Sequence, residues 1–204
     1  MQQTPQSVKS QFEKVFSTSD WKLFKEMAEA SLSEAAFLKK SDFTRLPDHR
    51  KLLARNSRKR LLIGVGTELL LKAIYLKGGY CINKPRDPST CTLKFPFTSV
   101  AAAGEPLNGT ETFMLGQLID NLKKIVKLQN QQQSVVIDGL RIAMVFRNKE
   151  GHVVTSQHKF VPESFRAIEK ALCALYERAF CERLTVRFSL EAKEKAAWKT
   201  VQLT

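Results

Sequence analysis

The stretch FRNKEGHVV, Phe146 to Val154, sets an arginine, an amide and a histidine within six positions, with Gly151 just before the histidine. Each type suits phosphodiester chemistry. An imidazole accepts or donates a proton near neutral pH, and a guanidinium brings fixed positive charge with directional hydrogen bonds to phosphate. Asn148 has both donor and acceptor capacity, enough to orient a turn or touch a substrate. None of these roles calls for a metal. Arg147 and His152 lie five positions apart and do not align on one ideal helix face, so a break between them is needed to bring the two side chains together. Gly151 supplies that break, because glycine enters the left-handed region at a helix C-cap without penalty. A plainer reading stands beside this one: an arginine can answer the helix dipole, Asn148 can cap locally, and His152 can be an ordinary loop residue.

The elements that must position these residues read as helices. DWKLFKEMAEASLSEAAFLKK carries Leu23, Phe24, Met27 and Ala28 on one side, with Ser19 or Asp20 as cap. From His49 to Gly79 a second pattern is one long helix or two joined near Asn56 and Ser57, with Leu52, Leu62, Val65, Leu69 and Ile74 as its apolar positions. Gly64 and Gly66 weaken that helix unless their missing side chains let a neighbour approach closely, which is the preferred explanation. Residues 83 to 110 hold four prolines and read as a long loop with a short extended piece, a lid or an insertion pinned by Phe95 and Phe97. Helicity returns in TETFMLGQLIDNLKKIVKL, with Phe113, Leu118, Ile119, Leu122 and Ile125 inward and Lys123, Lys124 and Lys127 toward solvent. After a polar connector, QNQQQS, the motif helix VVIDGLRIAMVFRNKEG follows. Pro162 starts a last helix with Phe165, Ile168, Leu172, Leu175 and Ala179 inward. TVRFSLE alternates as an extended segment, and AKEKAAWKT is a short helix or docked tail.

The fold class expected is all-α, a helical bundle with additional loop and terminal elements, because short antiparallel connections let these apolar faces bury one another. Residues 1–48 form a helical extension or the first bundle helix, 49–182 the core with its 83–110 insertion, and 183–204 a C-terminal extension. Lys+Arg 33 against Asp+Glu 20 gives a formal charge of +13, which favours encounter with polyanions without naming a reaction. The densest basic run, RNSRKR, makes Arg55, Arg58, Lys59 and Arg60 candidates for phosphate-backbone contact, together with Lys149 of the motif; the ordinary alternative is a solvated helix face. Cys81, Cys91, Cys173 and Cys181 form no compact zinc pattern, so neither a metal nor a cofactor is expected. No apolar run is long enough to span a membrane and no secretory signal is visible, so a cytoplasmic location is expected.

RNKEGH, at the end of an inner helix, resembles the R-x4-6-H motif of HEPN-domain proteins, with a polar residue directly after the arginine. GTELLLKAIYLKGG is similar to that family's early inner helix, and LGQLIDNLKKIV to the helix before the motif helix. The resemblance implies an up-and-down bundle of four or five core helices that dimerises, setting two motifs around a shared cleft, and a metal-independent endoribonuclease acting on RNA. It further implies a toxin-antitoxin or antiviral defence setting, with a nucleotidyltransferase-type antitoxin or defence-system protein as partner. On this chain it assigns Arg147 to the scissile phosphate, His152 to acid or base chemistry and Asn148 to organising the site, with Glu68 and His158 as auxiliary candidates. Glu68 serves equally well as a helix-surface partner of Lys72. A noncatalytic HEPN-like module that binds RNA or another protein is the alternative the resemblance leaves open.

Overall fold

Asp20 begins the first well-defined helix. In a computed structural model describing residues 4–7, 10, 13, 20–150 and 162–188, its backbone is extended and its carboxylate accepts from the Lys22 N–H at 2.9 Å, meeting one of the orphan donors at the start of α1, Trp21–Phe37. Phe24, Ala28, Leu32, Ala35 and Ala36 recur at helical spacing and are buried. Met27, expected among them, is 40% exposed, because it lies roughly 100° around the helix from the centre of that stripe.

A short 3-10 turn, Lys40–Phe43, leads into α2, Asp48–Lys77, one continuous helix of 30 residues. Asn56 and Ser57 do not divide it: neither removes a backbone donor, and each costs only about 0.5 kcal/mol of helix propensity. Leu70 to Tyr75 are all buried, so this part of α2 is surrounded, and α2 packs against α1 and the three later helices. Leu52, near its exposed start, is 49% accessible and belongs to no core face.

The two mid-helix glycines are where neighbours cross. A Cβ on Gly66 would stand 2.7 Å from Leu32 Cγ of α1. One on Gly64 would stand 2.7 Å from the Cα of Arg147 and collide with its Cβ. Missing side chains thus let two helices approach opposite faces of the same turn of α2, as the sequence pattern anticipates.

Residues 78–114 are a packed excursion. Strand β1, Asn83–Pro85, pairs antiparallel with β2, Leu107–Thr112, matching Asn83 with Thr112 and Pro85 with Leu107 across an irregular register. Phe95 stacks on Tyr75 of α2 at 5.5 Å between centroids and meets Phe97 and Phe113, so the excursion is pinned to the core by aromatic contacts.

Helix α3, Leu115–Ile125, buries Leu115, Leu118, Ile119 and Leu122 and leaves Lys123, Lys124 and Lys127, just past its end, exposed. The Tyr75 hydroxyl donates to the Leu118 carbonyl at 2.7 Å and ties α3 to α2. Helix α4, Asn130–Glu150, starts inside QNQQQS, which the sequence reading takes as a connector; glutamine is a good helix former and nothing there breaks the helix. Helix α5, Pro162–Phe180, ends at Cys181, whose φ of 58° takes the left-handed cap conformation usually left to glycine. The chain then turns back as an extended segment in which Leu184 is half-buried and Val186 and Phe188 are buried, while Thr185 and Arg187 are exposed. One hydrophobic cluster takes side chains from Phe24 through to Phe188.

Candidate functional site

Arg147 stands in the last turn of α4, where that helix crosses α2 at Gly64. The crossing brings its backbone against α2 and sends its side chain along the helix surface to Glu68, one turn further on. The guanidinium Nε meets Glu68 Oε2 at 2.7 Å, and the other carboxylate oxygen, Oε1, meets Lys72 Nζ at 2.9 Å. Glu68 thus bridges two cations, one oxygen to each. Burial is graded across the triad: side-chain exposure is 6% at Lys72, 13% at Glu68 and 46% at Arg147. The inner ion pair lies in the bundle wall, and the guanidinium reaches outward from it.

Arg147 Nη1 also donates to Asn148 Oδ1 at 3.3 Å, so the two polar residues of the motif are in contact. A guanidinium has five N–H donors, and these two contacts use only part of them. The arrangement can therefore hold a planar cation in fixed orientation at the surface and still present donors to an anion. Lys149, in the same last turn, is exposed beside it.

Phe146, the residue before Arg147, points the opposite way. It is 2% exposed and packs on Phe165 of α5 at 5.6 Å between centroids. This buried ring fixes the rotation of the last turn of α4, so that Arg147 and Asn148 face out.

Glu68, an auxiliary candidate in the sequence, is thus brought to Arg147, and both readings of it hold together: it pairs with Lys72 on its own helix and with Arg147 across the crossing. His152, His158 and Gly151 lie outside the described residues. The basic run does not form one solvated face. Arg58 is exposed and pairs with Glu34, whereas Arg55 is half-buried, its buried Nε without a hydrogen-bond partner among the described residues. Lys59 and Arg60 are 5% and 4% exposed, and the Lys59 ammonium donates to the Phe188 carbonyl. Of the residues considered for phosphate-backbone contact, Arg58 and Lys149 are therefore the two most open to solvent.

The seat of the C-terminal segment is not legible in the sequence. Phe188 N–H donates to the Glu169 carboxylate of α5 while Lys59 takes the same residue's carbonyl. The only signal was a lysine in a basic run and a glutamate amid apolar positions, each indistinguishable from a surface residue without the third dimension.

Among the described residues no group of three His, Cys, Asp or Glu side chains is placed to hold a metal ion, and no helix is long and apolar enough to cross a membrane. Comparison with known proteins adds no assignment: no family model matches the chain, and no curated protein or solved structure gives a significant match.

Proposed function

We propose that the chain is a metal-independent endoribonuclease of the HEPN kind. The observation that carries the reading is the placement of Arg147 and Asn148, in mutual contact, at the outer end of an inner helix, with the arginine held by Glu68 of the central helix. A pre-oriented cation of this kind favours an anion whose charge builds up in a transition state, since the protein has already met the cost of fixing it.

In this mechanism the substrate's own 2′-hydroxyl attacks the adjacent phosphorus. The P–O5′ bond breaks, leaving a 2′,3′-cyclic phosphate and a free 5′-hydroxyl. Arg147 contacts the non-bridging oxygens as negative charge grows, and His152 moves a proton, either from the 2′-hydroxyl or to the leaving oxygen. DNA has no 2′-hydroxyl and is not cut. A second copy of the chain supplies a second arginine and histidine, which divides charge stabilisation from proton transfer. Control by a nucleotidyltransferase-type antitoxin or a defence-system partner, in the cytoplasm, belongs to the same reading.

A second reading has its own support. Glu68 anchors Arg147 and Lys72 together, so the ion pairs give the arginine a structural role that needs no catalysis, which suits a noncatalytic HEPN-like module that binds RNA or a protein partner. Purified protein in excess EDTA, offered matched RNA and all-deoxy strands, separates the two. The enzyme reading expects fragments from RNA alone. Binding of RNA by a folded dimer with no fragments across RNA classes selects the module.

A further inference from the structure

The seat of Phe188 is joined to the motif by a short chain of packed side chains. Phe188 is 1% exposed, and its peptide is gripped from both sides: its N–H donates to Glu169 of α5, and its carbonyl accepts from Lys59 of α2. The same Lys59 ammonium stands 5.0 Å above the ring of Phe165, and Phe165 packs on Phe146, whose next residue is Arg147. Both charged groups of the seat are almost fully buried. Two opposite charges are tolerated in an interior only where hydrogen bonds satisfy them, and here the backbone N–H and C=O of one residue contribute to both.

This arrangement also fixes register. Leu184, Val186 and Phe188 turn inward at the two-residue period of an extended chain, and the Leu184 carbonyl accepts from the Cys173 thiol at 3.2 Å. A slip of one residue would send Phe188 outward and take its N–H and carbonyl away from Glu169 and Lys59.

We propose that residues 183–188 are a strap that positions Arg147. Seating Phe188 fixes Lys59 and Phe165, Phe165 fixes Phe146, and Phe146 sets the rotation of the last turn of α4 that carries the arginine to Glu68. Lys59, Glu169 and Phe188 are then positioning residues, acting through the ring pair rather than on a substrate. The functional part of this inference rests on the ribonuclease reading; the structural part does not.

The test is made on the full chain. Exchange of the Arg147 Nε–H is followed by 15N NMR, because its ion pair with Glu68 slows that exchange in the native arrangement, and kcat and KM for RNA are measured in parallel. Phe188→Ala is expected to speed the Nε–H exchange about tenfold, the scale of coupling through packed side chains, and to lower kcat by a similar factor with KM little changed. Lys59→Arg, which keeps the cation over Phe165, is expected to stay near the native values, and Lys59→Met to follow Phe188→Ala. If Phe188→Ala does not fold, Phe188→Leu carries the same measurement at smaller amplitude. Loss of backbone amide protection over 184–188 with an unchanged Arg147 Nε–H overturns the strap. A native chain that cuts no RNA removes the ribonuclease reading, while the exchange measurement still decides the strap.

Discussion

At the scale of single residues, the charge of Glu68 is what holds the site. Glu68→Gln keeps the shape and removes the negative charge that binds Arg147 and Lys72. Thermal or urea unfolding should show a loss of about 1–3 kcal/mol, the range for a hydrogen-bonded charge that is mostly out of water. Under the ribonuclease reading kcat should fall more than KM rises, because orientation of the guanidinium matters most in the transition state. A variant as stable as the native chain contradicts this account of Glu68. Tyr75 gives a second prediction at this scale. Burial holds its phenol well above the ordinary tyrosine range, so the neutral form is favoured in the fold. That contribution is fully present below the unfolded value of about 10 and is lost as pH rises past it. Tyr75→Phe should cost about 1 kcal/mol at neutral pH through the lost bond to Leu118, and should reduce the stability loss between pH 10 and 12. It should not abolish that loss, since Tyr176 and Lys25 are also shifted upward, the first chiefly by burial and the second by its bond to Glu182. An alkaline titration of unfolding free energy for both proteins checks the difference.

At the scale of elements, the crossing of α2 and α4 at Gly64 is the critical contact. Gly64→Ala places a methyl group against the backbone of Arg147. Neither backbone can step aside cheaply, so the helices must separate, at about 1–3 kcal/mol for overpacking. The Arg147–Glu68 pair should loosen with them, visible as faster exchange at the Arg147 Nε–H; an unchanged exchange rate with unchanged stability would show the crossing to be pliable. Gly66→Ala meets the Cγ of the fully buried Leu32, with the Ala28 carbonyl close behind, and should also cost about 1–3 kcal/mol, without loosening the Arg147–Glu68 pair. Just past the end of α5, Glu182 ties the chain to α1 through Lys25 at 2.7 Å, and this hydrogen bond holds its carboxyl below the usual range. Its contribution is present above the unfolded glutamate value of about 4.3 and disappears as pH falls through the lower folded value. Glu182→Gln should therefore flatten part of the acid limb of the stability profile, measured by urea midpoints from pH 6 downward.

At the scale of the whole molecule, the bundle was legible in the sequence because helical spacing of apolar residues survives without knowledge of partners: Phe24, Ala28 and Leu32, or Leu118, Ile119 and Leu122, name their own buried faces. The mid-helix glycines announced close approach, although not that Arg147 would be the neighbour of Gly64. Extent was harder to read. The start of α4 was hidden in a run of glutamines, and β2 lay partly beyond the expected loop, since short polar strands such as LNGTET have no strong pattern of their own. Charged residues were least legible. Lys59 and Arg60 look like the rest of a basic run, and the return of the chain at Phe188, with the ring of Phe165 beneath the ammonium, helps make an interior position tolerable for Lys59. Of the motif, the contacts among Glu68, Arg147 and Asn148 are formed, which is the part a helix can fix.

The most direct measurement is the chemistry of the new ends. A mixed pool of structured and single-stranded RNAs is incubated with purified protein in excess EDTA, beside an Arg147→Ala/His152→Ala variant prepared identically and shown to be folded. Fragments ending in 2′,3′-cyclic phosphate, with free 5′-hydroxyls, from the native chain alone are the predicted result. Equal cleavage by the variant, or ends bearing a 3′-hydroxyl and 5′-phosphate, would contradict the assignment of this site.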